Sequence, residues 1–174
     1  LFAREGAKVA VADRNLESAE ATVALTKDGS AVAIEANVGV PSDIKTMVGT
    51  AAAKLGGLDG LVYNVGIGAG MGLEGSTPEV WDRVFAVNLR GAMLTLQAAL
   101  PVLADGASII LISSIASMKP GSRMPAYDAS KAALGGLMRH AGIEGERRGI
   151  RPDRELRRCR SRKSSQRLDS HEDG

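Results

Sequence analysis

The chain has 174 residues, enough for one domain with a sizeable core, but only 3% are aromatic, so that core must rest on aliphatic side chains. A net charge of +2 excludes a strong field toward nucleic acid or membrane, and a single cysteine, Cys159, excludes an internal disulfide. The only histidines are His140 and His171, no cysteine/histidine cluster suits a structural zinc, and neither a signal peptide nor an apolar run of ~20 residues is present, so a cytoplasmic protein without metal, nucleic-acid or membrane partner is expected.

In chain order, Leu1–Gly6 reads as the closing turns of a helix stopped by Gly6. Lys8–Ala12 is a strand ending at Asp13, and Leu16–Lys27 has helical spacing with Asp28-Gly29 as its stop. Ala31–Glu35 is the next strand, and Pro41 and Ser42 open a helix ending near Leu55. Leu58–Tyr63 is a strand, followed by a glycine-rich loop through Gly75. Thr77-Pro78-Glu79 starts a helical region expected to reach Leu103. Ser108–Ser114 is a short apolar strand ending in two hydroxyls. Pro120, Gly121 and Pro125 mark a loop before a helix that runs to about Arg147. Strands alternating with helices argue for an α/β fold with a parallel sheet covered on both faces.

The chemistry concentrates in that last segment. Tyr127 and Lys131 are four apart and share one helix face. A protonated lysine beneath a phenol eases formation of the phenolate, which in free tyrosine forms only near pH ~10. A serine at the end of the preceding strand can hydrogen-bond an oxygen that gains or loses a proton. Strand end, loop and helix start are where open α/β sheets place their sites. Together these parts describe proton transfer between an alcohol and a carbonyl.

The run Ile112–Ser117 followed by Tyr127-Asp-Ala-Ser-Lys-Ala-Ala133 resembles the active-site segment of the short-chain dehydrogenase/reductase family. Gly57–Ile67 resembles that family's fourth strand and its Asn-Asn-Ala-Gly motif, and Val87-Asn-Leu-Arg-Gly91 resembles the segment with its catalytic asparagine. The resemblance runs from Leu1 to about Arg151. It implies a doubly wound, Rossmann-like parallel sheet, here incomplete at both ends, and an oxidoreductase that interconverts an alcohol and a ketone with a nicotinamide cofactor.

The resemblance also distributes roles. Tyr127 is the expected general acid/base, and Lys131 its electrostatic partner and a contact of the nicotinamide ribose. Ser114 is expected to orient the substrate oxygen, with Ser113 the rival serine, and Asn88 to support a water-linked proton path. Asp13, ending the family's second strand, can accept hydrogen bonds from the adenine ribose and repel a 2′-phosphate, which favours NAD. Arg14 partly offsets that repulsion and keeps NADP open. Asn37 and Val38 stand near the expected adenine site. Asn64 and Gly66 match two members of the Asn-Asn-Ala-Gly pattern, from which Tyr63 and Val65 depart. Trp81 and Met93 read as packing residues, and His140 as a surface residue. The loop from Met118 to Met124 is expected to line a pocket for a small alcohol or ketone. The intact parent protein is expected to be a homo-oligomer assembled through helices near 78–103 and 127–147.

Two features depart from the pattern. The family's glycine-rich phosphate turn would precede residue 1, and the loop Gly66–Gly72 follows the wrong strand to replace it. Without the strand that carries this turn, neighbouring strand edges are expected to lie open. Composition also changes at Arg151: from there to Gly174 stand seven arginines, one lysine and five acidic residues. A domain boundary is therefore drawn between 150 and 151, followed by a disordered basic tail for which out-of-frame translation is one explanation. Two other functional readings follow: a catalytically incompetent remnant of such an enzyme, and a binding module that uses the basic tail 151–174.

Overall fold

Short caps and prolines set where the helices begin. In the computed structural model, which describes residues 1–26, 29–119 and 121–155, Asn15 caps helix α1 (Leu16–Val23) by accepting the Ser18 N–H at 3.1 Å. Pro41 opens α2 (Pro41–Leu55), and Gly56 closes it in the left-handed conformation at φ 80°. Thr77 and Pro78 start α3 (Pro78–Phe85), which leads through a widened turn at Ala86–Arg90 into α4 (Gly91–Ala99). Pro125 opens the long α5 (Pro125–Gly145). Asp28 and Pro120, read above as breakers, lie outside the described residues, as do residues 156–174 with Cys159 and His171.

Five strands alternate with these helices: β1 (Val9–Asp13), β2 (Ala31–Glu35), β3 (Leu58–Tyr63), β4 (Leu103–Ile112) and β5 (Arg151–Glu155). All pairings are parallel. They form two sheets, one of β1 and β2 and one in the order β3-β4-β5. Among the described residues β1 and β3 each have one partner and one unpaired edge, the open-edge arrangement expected above. One consequence is exposure on β3: Tyr63 is buried, whereas Val62 on the opposite face is 47% exposed, so that face is not covered as a doubly covered sheet requires. Helix α2 touches β1, β2 and β3 and so spans both sheets.

Several boundaries differ from the sequence reading. Helix α1 ends at Val23, where bonds to residues three back tighten the chain and the Thr26 hydroxyl donates to the Val23 carbonyl at 2.6 Å. Helix α4 ends at Ala99, before Pro101, which cannot donate to a helical ladder. Leu103, expected in the helix, instead opens β4, and a register irregularity separates Leu58↔Leu103 from Gly60↔Ser108, with Gly106 at φ 78°. The tail expected from Arg151 begins as strand β5, whose backbone pairs with β4 from Ser108↔Arg151 to Ile112↔Glu155. No helix among the described residues is long and apolar enough to cross a membrane.

The core is aliphatic, as composition requires. Ile109, Leu111 and Leu134 are fully buried and cluster with Ile44, Val48, Leu96 and Leu103. Its lower corner is tied by Arg148, in the turn after α5. The Arg148 guanidinium donates to the Leu100 carbonyl at 2.6 Å, to the Leu103 carbonyl, and to Asp105 at 2.8 Å. It thus satisfies a carbonyl left free at the end of α4. Because Asp105 is 79% exposed, the carbonyl bonds should matter more than the ion pair. We expect Arg148→Ala to lower the unfolding free energy by about 1–3 kcal/mol and Asp105→Ala by less than ~1 kcal/mol, read from urea midpoints. Equal losses would show that the ion pair dominates.

Candidate active site

The site grows from the ends of β3 and β4 and the first turns of α5. Beyond β4 the chain leaves the ladder at Ser113 and Ser114, both buried. Their hydroxyls do different work. The Ser113 hydroxyl donates to the Lys131 backbone carbonyl at 2.8 Å and is spent on holding α5 against the strand end. The Ser114 hydroxyl accepts the Ala116 N–H at 3.2 Å, which starts the short turn Ile115–Ser117. Its own proton meets no acceptor among the described residues, so Ser114 keeps a donor for an external oxygen. Of the two adjacent serines, the hydroxyl proton of Ser113 is committed to the backbone and that of Ser114 is not, among the described residues.

Lys131 is 3% exposed. Its ammonium donates to the Ile112 carbonyl at 2.9 Å, at the end of β4, and to the Val65 carbonyl at 3.2 Å, just beyond β3. An ammonium has three N–H donors, and the third has no acceptor among the described residues. Burial pushes Lys131 down from the ordinary 10.5 to about 8, because desolvation disfavours the charged form. The nitrogen lies 6.0 Å from the centre of the Tyr127 ring, which is half-buried one turn earlier on the same helix. Val65 departs from the motif in its side chain, yet its contribution is a backbone carbonyl that any residue supplies. Gly66 is needed for a different reason: a Cβ there would stand 2.9 Å from the Lys131 nitrogen.

Asn88 sits fully buried in the widened turn between α3 and α4, where the Gly91 N–H bonds back five residues to the Ala86 carbonyl. Its amide donates to the Ile67 carbonyl and to the Ser130 hydroxyl, both at 2.9 Å, and its oxygen accepts the Ile67 N–H at 2.8 Å. The Ser130 hydroxyl in turn donates to the Tyr127 carbonyl at 2.8 Å. Asn88 therefore joins the loop after β3 to α5 instead of bonding its own helix.

Tyr63 belongs to this assembly although the sequence marked it only as a departure. Its hydroxyl donates to the Val87 carbonyl at 2.6 Å, directly beside Asn88. A Cβ at Gly91 would stand 2.6 Å from that oxygen, so glycine makes room for the phenol. Burial pushes the Tyr63 hydroxyl well above the usual tyrosine range, which keeps it a donor.

The remaining candidates lie apart from this corner. Asp13 is exposed at the end of β1 and accepts the Asn15 N–H at 2.9 Å, a turn contact; Arg14 beside it is exposed too. The Asn37 side-chain oxygen accepts the Gly39 N–H at 2.9 Å, while the Val38 side chain packs in the core. Asn64 is exposed. Trp81 stacks on Phe85 at 4.8 Å, and Met93 lines a surface groove of about 660 Å³ with Phe85, Leu89 and Leu137. His140 is exposed. The glycines of the loop Gly66–Gly72 are engaged by the protein itself: Gly68 faces Met124, Gly70 faces Gly75, and the Gly72 N–H donates to the Arg123 carbonyl at 2.8 Å. That loop has the wrong surroundings for a phosphate cradle. Among the described residues no three His, Cys, Asp or Glu side chains converge as metal ligands.

The family model described as enoyl-(acyl carrier protein) reductase matches residues 1–152. The chain belongs to the short-chain dehydrogenase/reductase family. Its relatives include 2-(S)-hydroxypropyl-CoM dehydrogenase 3 of Xanthobacter autotrophicus, 35% identical over 85% of this chain and 60% of that protein. Another is dehydrogenase/reductase SDR family member 4 of Bos taurus, 34% identical over 82% of this chain and 53% of its own length. The chain thus spans between half and three-fifths of these two relatives. Among solved structures, a dehydrogenase/reductase from Sinorhizobium meliloti aligns with a TM-score of 0.81 at 37% identity, covering 86% of this chain and 61% of that one. A 3-ketoacyl-(acyl-carrier-protein) reductase from Brucella melitensis complexed with NADH aligns with a TM-score of 0.82 at 29% identity, covering 89% and 67%. The fold is accordingly the Rossmann-like, parallel α/β fold of short-chain dehydrogenases/reductases.

The lowered Lys131 value carries a sign. With the folded value near 8 and the free value 10.5, the folded chain releases this proton before the unfolded chain does. The unfolded state therefore binds more protons between those limits, and stability rises with pH across them. We expect the unfolding free energy to gain on the order of 1–3 kcal/mol from about pH 8 upward, and Lys131→Met to flatten that rise, read by urea denaturation at stepped pH. An unchanged slope in the variant would place the source elsewhere.

Proposed function

We propose that this chain carries the catalytic corner of a nicotinamide-dependent oxidoreductase that interconverts an alcohol and a ketone. The observation behind the reading is the Lys131 ammonium, buried beside Tyr127, with two donors bound to backbone carbonyls and the third without an acceptor. Tyr127 is the general acid/base, with the Lys131 ammonium 6.0 Å from its ring centre. Ser114, with its free donor, holds the substrate oxygen. Asn88 fixes the loop and helix that frame the site.

The residues present fit the nicotinamide end of such a cofactor. The third N–H of Lys131 suits a ribose hydroxyl, and the exposed carboxylate of Asp13 suits the hydroxyls of the adenine ribose. Arg14, Asn37, Val38, Asn64 and Gly66 stand as further cofactor contacts, with Val38 offering only backbone because its side chain is in the core. NAD is favoured by the Asp13 charge, with NADP the alternative through Arg14. When bound, the nicotinamide exchanges a hydride with the substrate carbon. Everything else falls to the protein: Tyr127 moves the proton, Ser114 orients the oxygen, and Lys131 holds positive charge between them and the strand ends. Residues 1–150 form the functional unit, and α3, α4 and α5 carry the surface for a second copy.

Titration of the purified chain with NADH, read by nucleotide fluorescence, tests the reading together with ketone-dependent NADH consumption. The expected result is saturable binding that weakens in Asp13→Ala, and turnover that falls about 10²–10⁴-fold in Tyr127→Phe while binding persists. No binding at millimolar NADH contradicts it. Binding without turnover in the unsubstituted chain identifies a catalytically incompetent remnant instead.

A further inference from the structure

Immediately before and after Tyr127 the chain is cross-tied in a way that the chemistry above does not use. The Ser122 hydroxyl lies 2.5 Å from a carboxylate oxygen of Asp128, the residue next to Tyr127. A hydroxyl has one proton, and the carboxylate is the stronger of its two acceptors here, the other being the Met124 carbonyl at 3.4 Å. The same Ser122 oxygen accepts the Met124 N–H at 2.9 Å. On the other side the Arg123 carbonyl accepts the Gly72 N–H at 2.8 Å. Residues 122–124 are thus tied to α5 through Ser122 and to the loop after β3 through Arg123.

Arg123, which makes the second of these ties, has φ 60°, the one non-glycine residue at positive φ among the described residues. A bulky side chain adopts that conformation only when its surroundings impose it. The outcome of the reversal is the place of Met124. A Cβ on Gly68 would stand 2.7 Å from the Met124 sulfur and 3.7 Å from the Tyr127 ring. Gly68, Met124 and Tyr127 therefore meet in one contact. Met124 also lines a surface groove of about 390 Å³ with Leu73, Arg123, Pro125 and Asp128. Leu73, Met124 and Pro125 give that groove an apolar wall.

We propose that Ser122 and Asp128 form a latch that seats Met124 beside Tyr127 as the apolar wall of the substrate pocket. They are positioning residues, and Met124 is the residue that sets substrate size. This rests on the reading of Tyr127 as the reacting residue, and it names the substrate class: a ketone or secondary alcohol whose non-reacting branch is aliphatic and whose bulk is limited by the thioether. Without the carboxylate, the Ser122 proton loses its strong acceptor and the backbone reversal at Arg123 loses a support. Met124 then leaves the contact with Gly68 and Tyr127.

Oxidation by dilute peroxide, followed by peptide mass spectrometry of the full chain, tests the latch without any need for turnover. Met71 and Met118, 58% and 63% exposed, serve as fast references, and Met138, 7% exposed, as the slow one. Ser122→Ala and Asp128→Ala are expected to speed Met124 oxidation several-fold, toward the rate of Met71, with Met138 unchanged. Asp128→Asn keeps a side-chain acceptor and is expected to restore protection. Unchanged Met124 rates, or Met124 and Met138 loosening together, would overturn the proposal. In NADH consumption with ketones of increasing alkyl size, the two alanine variants should shift KM for the bulkier ketones with kcat preserved; a loss of kcat alone would contradict the assigned role. If Tyr127→Phe retains turnover, the catalytic reading falls, while the peroxide result still decides the latch.

Discussion

A single buried ammonium organises the corner on which the functional reading depends. Lys131 reaches from α5 to the carbonyls of Val65 and Ile112, which mark where β3 and β4 leave their ladder. These are the points at which a parallel α/β sheet opens its binding crevice. A charge taken out of water this completely is costly unless it is hydrogen-bonded. The two carbonyls offset much of that cost, and burial still moves the group down to about 8. Much of the neighbouring sequence can be understood as accommodation of this group. Gly66 has no room for a side chain beside it, and Ser113 binds the backbone of the same residue.

A second tie runs beneath the first. Asn88 joins Ile67 to Ser130, and Ser130 joins Tyr127, so the loop after β3 is connected to the first turns of α5 through a fully buried amide. The wide turn that carries Asn88 is met by the Tyr63 hydroxyl at Val87. A phenol does there what no short side chain at the end of β3 can do, because it spans the gap to the helix and Gly91 leaves space for it. Polar networks of this kind, with partners for each buried side chain, favour one arrangement over its near alternatives.

How much of this was legible depended on the range of the interaction. The alternation of strands and helices was readable because apolar runs are short and punctuated by Gly56, Pro78 and Pro125. Tyr127 and Lys131 were readable because helical spacing alone places them on one face. Ser114 and Ser113 were not separable by physical reasoning on the sequence, since the Ser113 bond to the Lys131 backbone exists only after folding. The role of Tyr63 was hidden for the same reason: its partner is 24 residues away and is a carbonyl. Arg151–Glu155 has no apolar pattern to mark strand β5, and its backbone order comes from pairing with β4. The end of α4 at Ala99 is masked in the sequence because leucines at 100 and 103 continue a helical look past Pro101.

The claim that a buried, carbonyl-bound ammonium assembles the site is tested most directly by its own titration. Selective labelling of lysine and an NMR pH titration of the Lys131 side chain, assigned by Lys131→Met, would measure it in the folded chain. The account predicts a midpoint near 8, below the ordinary 10.5. A midpoint at the ordinary 10.5 would mean that Lys131 is solvated, and would contradict the arrangement from which the candidate site has been built.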